Sequence, residues 1–222
     1  MAVAVQISGQ VRTLKQSYFT LKEQILDRYD CEIFLSTWGK EEELGWVFDL
    51  LHPVDYSIIE QTDENMDSLG ISGLAKKYNH TDISYNGTYL FVKHFNVLCG
   101  MFHRWKSDTL RQQSGREYDA VINTRTDLVY GEPLPEEAIE AAQKYILIPA
   151  GFDWDCGLND IFSVGHPKAT SALCSEFVHY EEYMNQGVTN HPEGLFKHHA
   201  LAMKLPVRRF SYTLFLRNMQ VS

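Results

Sequence analysis

Short apolar runs alternate along the chain with longer stretches in which apolar residues recur every three or four positions. The runs at 2–8, 31–36, 118–123, 145–149 and 160–164 predict strands, and the stretches between them predict amphipathic helices. The run at 118–123 is apolar on both faces, as a central parallel strand requires. Residues 54–60 read as a more peripheral strand, and 207–216 as the strand that closes the sheet. Helices are expected over 14–29, over 88–113 and from Pro167 and Pro192 onward. In the longest helix Phe91, Phe95, Leu98, Phe102 and Trp105 form one buried stripe, and Gly115 ends it. The helix after Pro167 turns Leu173, Phe177, Tyr180 and Met184 inward. Residues 61–87 are polar and rich in Gly, Asn and Asp, which predicts a long loop or mobile flap. The fold class is α/β: one Rossmann-related domain over 1–222, with a mostly parallel central sheet flanked by helices.

Composition narrows the partners. The chain has 222 residues, 44% hydrophobic, and a formal net charge of -9. It has no basic stripe, so nucleic acid is not an expected partner. An acidic protein that binds phosphate must do so with local donors or a metal. No apolar run reaches the ~20 residues of a membrane span. Ala2–Ile7 is too short for a signal segment. Cys31, Cys99, Cys156 and Cys174 have neither CxxC nor zinc-site spacing. They are expected to be reduced and mostly buried, which with the missing signal predicts a cytoplasmic location. The sequons at Asn79 and Asn86 are then chance matches. Nothing in the sequence sets the oligomeric state.

Ligands of open α/β sheets bind beyond the carboxyl ends of the strands, so the candidate chemistry lies just past the end of each run. After the first stands Ser8-Gly9-Gln10-Val11-Arg12-Thr13: a glycine that admits close approach, a helix N-terminus and a planar cation. The alternative is a plain β–α turn with a surface arginine. After the second stands Thr37-Trp38, where the indole either stacks on a base or sugar or covers the core edge. After the central run stands Thr124-Arg125-Thr126-Asp127. Arg125 is placed to neutralise phosphate and Asp127 to hold a divalent cation, or the two simply pair. The segment from Gly151 to Asp160 carries Asp153, Trp154, Asp155 and Asp160, an acceptor-binding loop with a base or metal ligand, or an acidic surface loop. Asp160 heads the following strand and is the acid expected to be held most rigidly. Glu193, in the first turn of the last helix, either favours the helix dipole or acts as a base. His199 lies on that helix's apolar face, as a core residue or a ligand.

Taken together, Ser8 to Thr13, Phe34 to Trp38, Tyr118 to Asp127, Leu158 to Phe162 and His191-Pro192-Glu193 resemble a family of small viral and bacterial proteins similar to GT-A glycosyltransferases. The resemblance spans nearly the whole chain through short motifs. It implies transfer of a sugar from a nucleotide-sugar, such as a UDP- or GDP-sugar, to a glycan or glycoconjugate hydroxyl. It implies Mn²⁺ or Mg²⁺ on Asp127, the last position of an Asp-x-Asp motif whose first Asp is here Arg125, and a second ligand from His199 or His198. The expected catalytic acids are Asp160, then Asp155 and Glu193. Ser8, Gly9, Gln10, Arg12, Thr37, Trp38 and Arg125 are expected to bind the donor. Because Arg125 replaces an acid, a non-catalytic nucleotide-binding protein of the same fold stays open; a sulfotransferase-like enzyme is the third reading, on the loose match of Ser8 to Thr13 to a phosphate-binding loop.

Overall fold

The computed structural model describes residues 1–78, 84–85, 88–89 and 93–217, with Ser84, Tyr85, Thr88, Tyr89 and Asp155 described in their backbone only. Strand β1 (Ala2–Ser8) is buried from Val3 through Ile7. Its alternation divides the molecule into two layers. Val3, Val5 and Ile7 join one core with Leu14 and Leu21 of helix α1 (Leu14–Leu21) and Ile25 of the π-helical turn that prolongs it. Ala4 faces the other way, toward Phe34, Leu110 and Val121. A strand covered on both faces belongs in the middle of a sheet, and β1 pairs in parallel on both sides. Its partners are β2 (Asp30–Trp38), in the register Ser8↔Ser36, and β6 (Ala120–Arg125), in the register Ser8↔Arg125.

Helix α2 (Gly45–Leu51) leads to edge strand β3 (Asp55–Ile59), parallel to β2. The chain then forms helices α3 (Asp63–Ser68) and α4 (Ile71–Lys77), the small hairpin β4 (Ser84–Tyr85) and β5 (Thr88–Tyr89), and helix α5 (His94–Gln113). Here the expectation of a loop over 61–87 is corrected at Asp63–Ser68 and Ile71–Lys77, which are helical; residues 79–83 and 86–87 of that span lie outside the described residues. Thr62 caps α3 by accepting from the Asn65 N–H at 3.2 Å, with Asp63 and Glu64 in the first turn. Met66 and Ile71 bury themselves beside Leu98 and Phe102 of α5. Helix α5 starts at His94 rather than 88, because Thr88 and Tyr89 pair in the hairpin. Leu98 and Phe102 are buried and Phe95 and Trp105 pack half-buried beside them. Gly115 accepts the left-handed turn, φ +66°, that ends the helix. Phe91 and the sequons at Asn79 and Asn86 lie outside the described residues.

From β3 the chain returns across the sheet and enters β6 on the far side of β1. Beyond β6 come β7 (Leu128–Tyr130), α6 (Glu136–Ala141), β8 (Ile146–Pro149), β9 (Ser163–Gly165), α7 (Pro167–Cys174), α8 (Glu176–Asn185), α9 (Pro192–Ala202), β10 (Val207–Phe210) and β11 (Leu214–Leu216). The seven-stranded sheet runs β10-β8-β9-β6-β1-β2-β3, and β9 alone is antiparallel to its neighbours. Three sequence boundaries shift. The strand expected at 160–164 is 163–165, so Asp160 precedes it. The helix from Pro167 breaks at Ser175 into α7 and α8. The span 207–216 splits at Ser211-Tyr212-Thr213: β10 edges the sheet while β11 pairs with β7 in a separate ribbon.

All four cysteines are free; Cys99 and Cys174 are buried and Cys31 is half-buried, while Cys156 departs from the expectation of mostly buried cysteines and is exposed. Among the described residues no helix is long and apolar enough to cross a membrane.

The loop 151–160 is clasped to α9. The Leu158 N–H donates to the Glu193 carbonyl at 3.0 Å, and Lys197 Nζ donates to the Cys156 carbonyl at 2.7 Å. A Cβ on Gly157 would stand 2.3 Å from the Glu193 carbonyl carbon, a backbone atom that cannot step aside. Gly157→Ala is therefore expected to cost roughly 1–3 kcal/mol in urea unfolding. Unchanged stability would mean that the loop does not rest on α9.

Candidate functional site

The strand order reverses between β1 and β6, the switch point beyond which open α/β sheets bind ligands. A cleft of about 570 Å³ opens there. Its floor is the β1–α1 turn, Ser8, Gly9, Gln10, Arg12 and Thr13. One wall is the end of β6, Arg125 to Asp127, with Asp160 and Arg217. The other is Trp38, Gln61 and a face of α5.

The floor is built by local chemistry. Gly9 takes φ +106°, and its N–H donates to the Ser36 carbonyl at 3.2 Å. The Thr126 hydroxyl donates to the Gln10 carbonyl, and Ser17 Oγ donates to the Thr126 carbonyl at 2.6 Å. These bonds tie the end of β6 to the β1–α1 turn. The 3-10 turn Val11–Thr13 buries Val11 and Thr13 and leaves Arg12 exposed. Arg12 forms no hydrogen bond or ion pair among the described residues.

Arg125 is the last residue of β6 and Asp127 stands in the turn that follows, and the two side chains pair. Arg125 Nε donates to Asp127 Oδ1 at 2.9 Å and Nη2 to Oδ2 at 2.7 Å. Both carboxylate oxygens thus face a guanidinium in the bidentate geometry that makes such pairs strong. Strand β11 brings Arg217 to the same wall: its N–H donates to the Asp127 carbonyl at 2.9 Å, and its Nε to Gln16 Oε1 at 3.0 Å.

The α5 wall consists of Asn96, Cys99, Gly100, His103 and Arg104, residues that share one helical face. Arg104 is nearly buried. It reaches Asp160 Oδ2 at 2.9 Å and Glu176 Oε2 at 2.8 Å, and lies over the Phe196 ring at 4.7 Å. Asp160, expected as the leading base, is thus committed to an ion pair with α5. Burial, opposed by Arg104, pushes the Glu176 carboxyl up. Glu193 is raised to about 7, first by burial and then by the charge of Asp160. It stands 3.0 Å from His191 Nδ1, and Arg125 and Arg104 act on it electrostatically.

Several expectations are corrected. Thr37 is fully buried, its hydroxyl turned to the Trp38 carbonyl at 3.3 Å, and it does not line the cleft. Trp38 lines the cleft but packs between Phe102 and His103 with only 7% exposure, so it is no open stacking platform. Asp153 pairs with Arg209 at 2.8 Å. The Asp155 side chain lies outside the described residues. His199 is a core residue: Nδ1 meets the Tyr183 hydroxyl at 2.7 Å, Nε2 meets the Ala172 carbonyl at 2.7 Å, and burial lowers its pKa to about 4. His198 packs edge-on against Tyr183.

These donors do not fit the expected Mn²⁺ or Mg²⁺. Hard cations take free oxygens, whereas both oxygens of Asp127 are taken by Arg125 and His199 spends both nitrogens in the core. Among the described residues no three His, Cys, Asp or Glu side chains gather as a metal set. The lining carries four arginines against two aspartates in a chain of net charge -9. Asp127 and Asp160 are each offset by an arginine, and Arg12 and Arg217 form no ion pair among the described residues. The free charge is cationic, suited to a phosphorylated ligand.

Sequence reasoning missed the α5 face and Arg217. Asn96, Cys99, Gly100, His103 and Arg104 repeat at helical spacing beside the apolar stripe, and that signal was available. No protein-family model and no curated protein matches this chain.

Removing Arg104 leaves Asp160 and Glu176 buried and unpaired. Arg104→Met is expected to cost roughly 3–5 kcal/mol near pH 8. An unpaired buried carboxyl has a folded pKa above its unfolded one, so its cost shrinks as the pH falls. The difference in Tm from the parent protein should narrow between pH 8 and pH 5. A gap independent of pH would show that the carboxylates are not what Arg104 answers.

Proposed function

We propose that this protein is a glycosyltransferase whose cleft binds a nucleotide-sugar and passes the sugar to a glycan or glycoconjugate hydroxyl. The observation that carries the reading is the concentration of arginine at the switch point of an acidic α/β protein. Glycosyl transfer releases a diphosphate, and Arg12, Arg125 and Arg217 meet that charge where it develops. In an inverting transfer the acceptor oxygen bonds to the anomeric carbon and the bond to the diphosphate oxygen breaks. The acceptor proton then passes to a carboxylate. Glu193 replaces Asp160 as the first choice for that base: Asp160 is committed to Arg104, and Glu193, outside the cleft lining itself, interacts with Asp160 and Arg125 of that lining and has its carboxyl raised to about 7, near neutral pH. A retaining transfer needs no such base. Arginine does the work that the resemblance assigned to Mn²⁺ or Mg²⁺. We place the activity in the cytoplasm.

The second reading is a nucleotide-binding protein without turnover. It is favoured by one observation: both carboxylates lining the cleft, Asp127 and Asp160, are engaged by arginines. A thermal-shift screen of nucleoside diphosphates, UDP- and GDP-sugars and a 3′-phosphorylated adenosine nucleotide, with and without Mn²⁺, tests the binding step. A ligand selective for the native state raises Tm with concentration. We expect stabilisation by a nucleoside diphosphate without Mn²⁺, weakened in Arg12→Ala and Arg125→Ala. In Asp127→Ala the shift should be kept or enlarged, because Arg125 is released. Loss of the shift in Asp127→Ala, with a requirement for Mn²⁺, would return the role to a metal. Preference for the 3′-phosphorylated nucleotide would favour the sulfotransferase-like alternative.

For turnover, Glu193→Gln is expected to keep donor binding while lowering kcat by about 10²–10⁴-fold in an inverting reaction. Donor binding with no sugar transfer by the parent protein to any glycan acceptor would support the non-catalytic reading.

A further inference from the structure

Two residues of the cleft lining, one in the floor and one on the α5 wall, hold buried polar atoms without a partner among the described residues. They are Gln10 Oε1 in the floor and His103 Nε2 on the wall. Buried polar atoms are paired in the great majority of cases, so these two orphans point to polar atoms of a ligand in the cleft.

His103 is the more informative. Its side chain is fully buried, yet it lines the cleft. The ring is clamped: Nδ1 lies 2.7 Å from Ser36 Oγ, and Trp38 packs against the ring, centroids 4.1 Å apart. The Ser36 hydroxyl proton has no other acceptor among the described residues, so both groups are satisfied when Ser36 donates to Nδ1. Nε2 then carries the ring proton and is a donor. Burial lowers the His103 pKa to about 3, which keeps the ring neutral at physiological pH.

Its position relative to the arginines follows from the register. Ser36 and Arg125 are the partners of Ser8 on its two sides. Neighbouring strands lie about 4.8 Å apart, so the two positions stand about 10 Å apart. Arg125 and His103 line the one cleft, so a ligand with its anionic group on Arg125 can extend across the end of β1 toward His103, which Ser36 holds. Gly100, on the same α5 face, has nothing within 4 Å of where a Cβ would stand, which leaves room beside His103.

We propose that His103, held by Ser36, donates from Nε2 to a ring carbonyl of the ligand's nucleobase, so that the cleft reads a keto-bearing base, uracil or guanine, at its α5 end. This rests on the nucleotide reading above. Uracil and guanine present carbonyl acceptors, whereas adenine presents an amino donor there and sets donor against donor. The cost of such a mismatch is the cost of an unmade buried hydrogen bond.

Isothermal titration of UDP, GDP, ADP and inorganic pyrophosphate into the parent protein and His103→Leu, His103→Gln and Ser36→Ala tests this. UDP or GDP is expected to bind more tightly than ADP. His103→Leu should weaken that ligand about tenfold or more, toward the affinity of ADP, and leave pyrophosphate unchanged. His103→Gln, whose amide nitrogen can stand in for Nε2, should recover part of the loss even if the leucine variant folds poorly. Ser36→Ala should weaken the base-bearing ligand and not pyrophosphate. Equal binding of ADP, an unchanged nucleoside diphosphate affinity in His103→Leu, or a matching loss for pyrophosphate would overturn the assignment and leave the nucleotide reading standing. Failure of the parent protein to bind any of the four would sink both.

Discussion

A guanidinium that is nearly out of reach of water must be answered by carboxylates, and in this protein one such group joins four parts of the fold. Arg104 stands on α5 with its side chain 10% exposed, between Asp160 and Glu176, whose side chains are 11% and 1% exposed. Asp160 belongs to the segment entering β9, Glu176 opens α8, and the ring beneath the guanidinium is Phe196 of α9. None of these elements is a sequence neighbour of α5. Taking the three charges out of water is expensive, and the ion pairs offset that cost only in good geometry. The cluster therefore demands one relative placement of α5, α8, α9 and the β9 entrance. That placement gives the cleft its upper wall.

A second buried charge group works beneath the first. Gln6 of β1 donates to Asp108 at 2.7 Å, and Arg111, one turn along α5, holds the same carboxylate at 2.8 Å. Asp108 is 1% exposed and Arg111 5%. Gln6 is thus a polar residue in the middle of the central strand because α5 carries its partner. Two charge clusters four residues apart on one helix fix the C-terminal half of α5, Asp108 to strand β1 and Arg104 to α8, α9 and the segment entering β9. The cleft-lining residues from Asn96 to Arg104 continue the same rigid element toward the ligand side.

Much of this was legible in the chain. Strands β1, β2 and β6 announce themselves because burial on both faces leaves little choice but consecutive apolar residues. The ligand side follows from the parallel arrangement, so Gly9, Gln10, Arg12, Arg125 and Asp127 could be placed at one rim from sequence. What was not legible depends on partners distant in sequence. Whether Arg125 and Asp127 pair with each other or face a metal depends on what else is near, and Arg217 comes from a ribbon some ninety residues later. Asp160 looked like a strand's first residue because 160–164 is apolar after it, but β9 is antiparallel and pairing begins at Ser163. His199 sat on an apolar helix face, and its Tyr183 and Ala172 partners come from other helices. The polar run at 61–87 hid α3 and α4, whose caps were present in Thr62 and Gly70 but whose apolar faces amount to few residues.

The electrostatics of the cleft rank its arginines by availability. Arg104 is consumed by the fold, since its two carboxylates cannot be left without it. Arg125 is held by Asp127 in a fork that a phosphate would have to share or displace. Arg12 is exposed at a turn and Arg217 holds only a neutral amide, so neither must break an ion pair before meeting an anion. An anionic ligand is therefore engaged first at the β1–α1 turn and the β11 end, and the Arg125–Asp127 pair becomes a second, adjustable contact. Under the proposed sugar transfer, such an arrangement suits a diphosphate whose negative charge grows as its bond to the sugar breaks. In that reading Arg12 and Arg217, free of ion pairs among the described residues, hold it in the ground state, and Arg125 turns from its carboxylate toward the leaving group as charge develops. Interactions that strengthen only then are the ones that accelerate a reaction.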